Sequence, residues 1–155
     1  MEIKFLKDYP DSVLLIAQWY YAEWKAIYEA SGMSLEDVKK TVEERANTDK
    51  IPLAIVGLDA GRVIGTGCIK AHDMDTRMDL TPWLAGIYVE QTQRRKGHGS
   101  MIVRRLEEIA RKFGIEKLYL YTPRSAVFYE GLGWREYEIA TYKGQHVTVM
   151  ERILL

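Results

Sequence analysis

Residues 94–100, Arg94-Arg95-Lys96-Gly97-His98-Gly99-Ser100, lie between an apolar strand pattern and an apolar helix pattern, and this junction constrains the fold more than any other segment. Upstream runs Trp83-Leu84-Ala85-Gly86-Ile87-Tyr88-Val89. Downstream, Ile102, Leu106, Ile109, Ala110 and Phe113 recur at helical spacing, and Gly114 closes the pattern as a C-cap. Two glycines at a strand-to-helix junction let the backbone approach a ligand closely. The free N–H groups of the new helix's first turn then point at that ligand, and such a start favours anions, phosphates most of all. Three consecutive cations just upstream reinforce the field. The segment reads as a pyrophosphate cradle.

Two familiar cradles are excluded by what is missing. A P-loop places Lys and Ser/Thr directly after its last glycine, but Gly99 is followed by Ser100-Met101. A dinucleotide fingerprint places a third glycine where this chain has Ile102. The pattern present is R-x-x-G-x-G, with Arg94, Gly97 and Gly99 in the defining places, and it resembles the acetyl-CoA loop of the GNAT superfamily of N-acetyltransferases. A second block strengthens the resemblance. After the strand-like Lys117-Leu118-Tyr119-Leu120-Tyr121 come Thr122-Pro123 and then Ser125-Ala126-Val127-Phe128-Tyr129-Glu130-Gly131-Leu132-Gly133-Trp134. This segment is similar to the superfamily's A-x-x-F-Y-x-x-x-G-F/W signature, in the expected order and at the expected distance. The resemblance is close over Thr81–Glu138 and rests elsewhere on length and element order. An Asn common ahead of this helix is absent, with Pro123 and Ser125 in its neighbourhood. That departure bears on how the pantetheine arm is held.

Bulk properties narrow the alternatives. A chain of 155 residues has the length of one domain, taken as 1–155. With 22 basic and 22 acidic residues the formal net charge is zero, so no polyanion-binding surface for nucleic acid is expected. The single cysteine, Cys68, excludes an internal disulfide and fits a reducing cytoplasm. Met1-Glu2-Ile3-Lys4 lacks signal-peptide character, and no run approaches the ~20 apolar residues of a membrane span.

Periodicity predicts a helix over about 11–28. A capping box at Ser34-Leu35-Glu36-Asp37 opens a second, ending near Arg45. Strands follow at 53–58 and 63–70 around a turn at Asp59-Ala60-Gly61-Arg62, then at 83–89. Next come a helix at 99–113, a strand at 117–121, a short helix near 126–130 and a terminal hairpin of 137–142 with 146–153, with a possible extra strand at 3–6. Hairpins with one crossover helix imply an α/β (α+β) class: a mixed, mostly antiparallel sheet with helices on both faces. This is the element order that the GNAT resemblance implies.

Acyl transfer from a thioester to an amine requires that the donor be held, its carbonyl polarised and protons moved. For the first task, backbone amides of Arg95, Lys96, Gly97, His98, Gly99 and Ser100 would bind the diphosphate of acetyl-CoA, with Arg94 shaping the turn. For the second, the resemblance implies that Ile87, Tyr88 and Val89 splay from the neighbouring strand and expose backbone groups to the pantetheine and thioester. Gly86 is compatible with a bulge there. Ser125, Phe128 and Tyr129 would flank the donor, and Tyr129 matches the superfamily's general acid for the departing thiolate; the other reading is a packing residue. For the third task, an alkyl ammonium of pKa about 10.4 costs roughly 4.6 kcal/mol to deprotonate at pH 7, which calls for a base. Glu90 at the strand exit is the first candidate, with His72, Asp73, Asp75 and Asp79 in the polar loop ahead of that strand as others. Asp79-Leu80-Thr81-Pro82-Trp83-Leu84 resembles a run found in small bacterial members, which sets the His72–Asp79 loop near the acceptor. Glu23 and Trp24 suit a cationic amine by ion pairing and cation–π contact, or else belong to the core of an amphipathic helix. Cys68 reads as core, and His72, His98 and His146 lack ligand spacing, so no metal is expected. The sequence therefore points to acetyl transfer from acetyl-CoA to a primary amine, small molecule before protein, within a ternary complex, with a homodimer possible. The alternative is a non-catalytic acetyl-CoA-binding sensor or interaction module.

Overall fold

A computed structural model describes all 155 residues. Its strands are β1 (Glu2–Phe5), β2 (Leu53–Asp59), β3 (Arg62–Lys70), β4 (Trp83–Val89), β5 (Lys117–Thr122), β6 (Arg135–Tyr142) and β7 (Gln145–Ile153). The helices are α1 (Val13–Glu23), α2 (Lys25–Ala30), α3 (Leu35–Glu43), α4 (His98–Lys112) and α5 (Ala126–Gly131). One seven-stranded sheet runs in the order β1-β2-β3-β4-β5-β7-β6. Only β4 and β5 are parallel, because the crossover through α4 returns the chain in the same direction.

Strand alternation sorts the core onto the two faces of the sheet. Leu53, Ile55, Ile69 and Leu84 pack under Ile102, Val103, Leu106, Ile109 and Ala110 of α4. Ala54, Val56, Cys68 and Ala85 point the other way, against Val13, Ile16, Ala17 and Tyr20 of α1 and Val38 and Val42 of α3. Helices therefore cover both faces, as the sequence predicts. Two-residue turns at Ala60-Gly61 and Lys143-Gly144, with positive φ at both residues, close the two hairpins. Ser34 Oγ accepts from Asp37 N–H at 3.1 Å and the Asp37 carboxylate accepts from Ser34 N–H at 2.9 Å, completing the expected capping box.

The main departure lies in the first helix. Residues 10–12 form a 3-10 turn, and the expected continuous helix breaks at Trp24 (φ −117°, ψ 32°) before resuming as α2. No glycine or proline marks the break. It falls where Glu23 and Trp24 meet the cleft described below, and tertiary packing overrides local propensity there.

Candidate active site

The bulge foreseen at Gly86 is present. Thr66 faces Tyr88 and Cys68 faces Ala85, so Gly86 and Ile87 together oppose Gly67 alone. Gly86 has φ +61°, and its carbonyl accepts from the Tyr20 hydroxyl at 2.7 Å. On its other edge β4 is in register with β5 at a single pair, Trp83 with Tyr119, where Tyr119 N–H donates to the Pro82 carbonyl at 3.0 Å. Beyond that pair the two parallel strands diverge. The β5-facing backbone groups of Ile87–Val89 are left without a strand partner, as the resemblance implied.

The cradle sits at the end of this gap. Arg94 Nε donates to the Val89 carbonyl at 2.8 Å and its guanidinium lies 5.2 Å over the Tyr88 ring, pinning the loop to β4. Arg95 (φ +64°) and Gly97 (φ +83°, ψ 4°) have positive φ, and the left-handed Gly97 leading into the first turn of α4 has the local conformation of an anion-binding nest. Helix α4 begins at His98 with no side-chain cap on its N-terminal N–H groups. His98 Nδ1 is buried with no partner. An uncapped helix start, a nest and an orphaned buried nitrogen together fit the diphosphate arm of acetyl-CoA.

Between the cradle and α1 opens a cleft of about 500 Å³. Its walls include Glu23 and Trp24 from the α1–α2 break, Ile87, Tyr88 and Val89 from β4, and Arg94, Arg95, Gly97, His98, Gly99 and Ser100 from the loop, with Ser125 and Phe128 opposite. Gln93 also lines it, a residue whose only sequence signal is its place directly before Arg94. Lys96 is not part of the wall, and its Nζ donates to Gln93 Oε1 at 3.3 Å. Thr122, which sequence reasoning passed over, caps the β5–α5 turn: its hydroxyl accepts from Ser125 N–H at 2.9 Å. A hydroxyl thus stands near the place where the superfamily commonly has an Asn.

Tyr129 lies behind this wall, 9% exposed, its ring 5.0 Å from Phe128 and 6.1 Å from Trp134. Its hydroxyl is not among the fully buried unpaired atoms, so the tip reaches solvent. Burial pushes the phenol up to about 12. The other candidate bases lie outside the cleft. Glu90 is held by Arg62 at 2.5 Å. Asp73 pairs with Lys70 at 3.0 Å, and Asp79 accepts a bidentate contact from Arg77, also at 3.0 Å, which holds its carboxyl below the usual range. His72 and Asp75 are exposed on the same loop. Arg77 also pairs with Glu138, tying this loop to β6. No cluster of His, Cys, Asp or Glu could hold a metal ion, and no helix is long and apolar enough to cross a membrane.

Comparison with known proteins agrees with this geometry. No curated protein matches the chain by sequence. Among solved structures, aminoglycoside 6'-acetyltransferase type Ii superposes with TM-score 0.76 at 18% identity, covering 100% of this chain and 98% of that one. A ribosomal-protein-alanine N-acetyltransferase from Brucella melitensis gives TM-score 0.76 at 18% identity, covering 99% of both chains. The structure of yncA from Salmonella typhimurium with its cofactor acetyl-CoA gives 0.72 at 16%, covering 100% of this chain and 94% of that one. These likenesses establish a shared fold. Residues 14–134 match the model of the Acetyltransferase (GNAT) family. The chain therefore belongs to the GNAT family and is an N-acetyltransferase that uses acetyl-CoA as its acetyl donor.

Proposed function

We propose that the protein acetylates a primary amine of a small molecule by direct transfer within a ternary complex. Bound acetyl-CoA supplies the activated thioester. One observation carries the reading: residues of the cradle, residues 87–89 at the unpaired edge of β4, and Glu23 all line a single cleft. In this reading Arg95–Ser100 amides hold the diphosphate, and main-chain groups of Ile87–Val89 align the pantetheine arm and polarise the acetyl carbonyl. Ser125 and Phe128 close the opposite wall. Trp24 receives the acceptor ammonium on its ring face, and Glu23, directly or through one water, takes its proton. Glu23 assumes the base role that the sequence assigned to Glu90, whose carboxylate is engaged by Arg62. Aminoglycoside acetyltransferases among the structural neighbours support a small amine as acceptor.

Tyr129 serves as the donor to the departing thiolate. A phenol at about 12 facing a thiol near 8.5 makes full proton transfer uphill by about 5 kcal/mol. The same apolar surroundings raise the thiol as well, which narrows the gap. Burial acts this way on the Cys68 thiol, whose pKa is raised. A hydrogen bond from the neutral phenol then stabilises the leaving group as charge builds on it.

Release of CoA thiol across a panel of primary amines tests this. Tyr129→Phe should lower kcat roughly 10²-fold while the KM for acetyl-CoA stays near wild type. Because the phenol acts in its protonated form and titrates near 12, Tyr129 should contribute no falling limb to the wild-type rate up to pH 10. Glu23→Gln should lower kcat at neutral pH and recover part of it as rising pH deprotonates the amine in solution. Equal losses of donor affinity and turnover in Tyr129→Phe would make that ring a packing residue. Tight acetyl-CoA binding without turnover of any amine would make the protein a binding module.

A further inference from the structure

Arg45 follows α3, and its side chain is 9% exposed. It lies inside the packing between α1, α3 and the sheet. The guanidinium makes no ion pair and no hydrogen bond within the chain. Its nitrogens retain only slight solvent contact. They lie beside the β4 bulge, one layer behind the cleft walls. Arg45 lies 5.9 Å over the Tyr20 ring, and its Nη1 is 3.5 Å from where a β-carbon on Gly86 would stand. Tyr20 in turn bonds the Gly86 carbonyl and packs 5.3 Å from Trp24, which lines the cleft. Gly86 immediately precedes Ile87, the first β4 residue of the cleft, and neighbouring Cα atoms are only about 3.8 Å apart.

A buried guanidinium without a partner is poor structural material. Its five donors lose water, and one cation–π contact does not replace it; an apolar side chain of similar volume would pack there at lower cost. Nearby charges do not neutralise it either. Asp73, the carboxylate whose field reaches Arg45, is paired with Lys70 at 3.0 Å. Burial works against the Arg45 charge, yet an arginine keeps its proton throughout the working pH range, so the group stays cationic. A fixed, desolvated, planar fork beside the acetyl-transfer strand is complementary to a carboxylate.

We infer that the acceptor carries a carboxylate seated on Arg45 beside the β4 bulge, so that the substrates are amine-bearing carboxylic acids and not polycationic amines. This rests on the acetyl-transfer reading above, in which Glu23 and Trp24 receive the amine. A polycation would meet Arg45 as a like charge, whereas an amino acid places opposite charges on Arg45 and Glu23.

The test compares β-alanine, 4-aminobutyrate and 6-aminohexanoate with their carboxamides, each assayed by CoA thiol release. Wild type should favour at least one carboxylate over its carboxamide by about tenfold or more in kcat/KM. Arg45→Gln should erase that preference by raising the carboxylate's KM far more than the carboxamide's, and should change the KM for acetyl-CoA less than either. Arg45→Lys should recover part of the preference. The inference is overturned if wild type treats each pair alike, or if Arg45→Gln keeps the preference. If Arg45→Gln fails to fold, the wild-type comparison still decides. Carboxamides turned over as well as carboxylates would sink this inference and leave acetyl transfer standing; no turnover with any of the six amines, or with simple alkyl amines, would sink both.

Discussion

At the scale of single residues, Gly86 shows how one backbone position sets up the site. Its φ of +61° lies where an L side chain is strained by about 1–2 kcal/mol, and an added β-carbon would stand 2.5 Å from the Tyr20 hydroxyl. Gly86→Ala should therefore displace Tyr20, break its 2.7 Å bond to the Gly86 carbonyl and cost about 2–4 kcal/mol in urea unfolding. Adding Tyr20→Phe removes the hydroxyl contact but leaves the ring carbon at 3.0 Å and the backbone strain, so the double variant should recover only part of the loss. Strict additivity of the two changes would show that they do not meet. The sequence raised a bulge at Gly86 because a glycine inside an apolar strand has few other uses. It was silent on Arg45 and Glu23 as parts of one site, since those residues reach β4 through tertiary packing between distant segments and no local spacing encodes that.

At the scale of elements, α4 was legible almost to its ends, because its apolar residues follow a helical period and glycines stand on either side. What the pattern concealed is Glu107, 1% exposed within that buried stripe. Its carboxylate accepts from Trp134 Nε1–H at 3.0 Å and Arg104 at 3.2 Å, and Arg152 approaches at 3.5 Å. This one side chain fastens α4 to the start of β6 and to β7. Glu107→Ala leaves the buried Trp134 indole N–H without its acceptor and removes the carboxylate from Arg104 and Arg152, which keep only the Leu132 and Gly133 carbonyls, and should destabilise the fold by about 3 kcal/mol in denaturant titration. A change below about 0.5 kcal/mol would make the network dispensable. The break between α1 and α2 was likewise hidden. A continuous helix satisfies the local sequence equally well, and no glycine or proline marks the kink at Trp24, whose ring packs 5.3 Å from Tyr20.

At the scale of the whole molecule, the sheet is two pieces joined along a seam. β1 to β4 form one and β5, β7 and β6 the other, with β4 and β5 in register only at Trp83 and Tyr119 and the Arg77–Glu138 pair bridging from the polar loop. The same divergence that creates the donor cleft removes the ladder that would otherwise hold the halves together. On the proposed donor placement, acetyl-CoA between Ile87–Val89 on one side and Ser125 and Phe128 on the other would replace those missing contacts and couple binding to stability. At a concentration about 100 times its Kd, acetyl-CoA should stabilise the fold by about 2.7 kcal/mol and raise the Tm by roughly 5–10 °C. Hydrogen exchange should slow on both sides of the seam, at the start of α4 and in the β5–α5 turn. Gly99→Glu provides the control. A β-carbon at Gly99 stands 3.5 Å from Phe128, an ordinary contact that the free protein tolerates, whereas the carboxylate beyond it projects negative charge into the cradle. That variant should melt close to wild type without donor and gain almost nothing from it. Protection confined to α4, with β5 and α5 exchanging as before, would mean that the donor grips one half only and that the seam plays no part in binding.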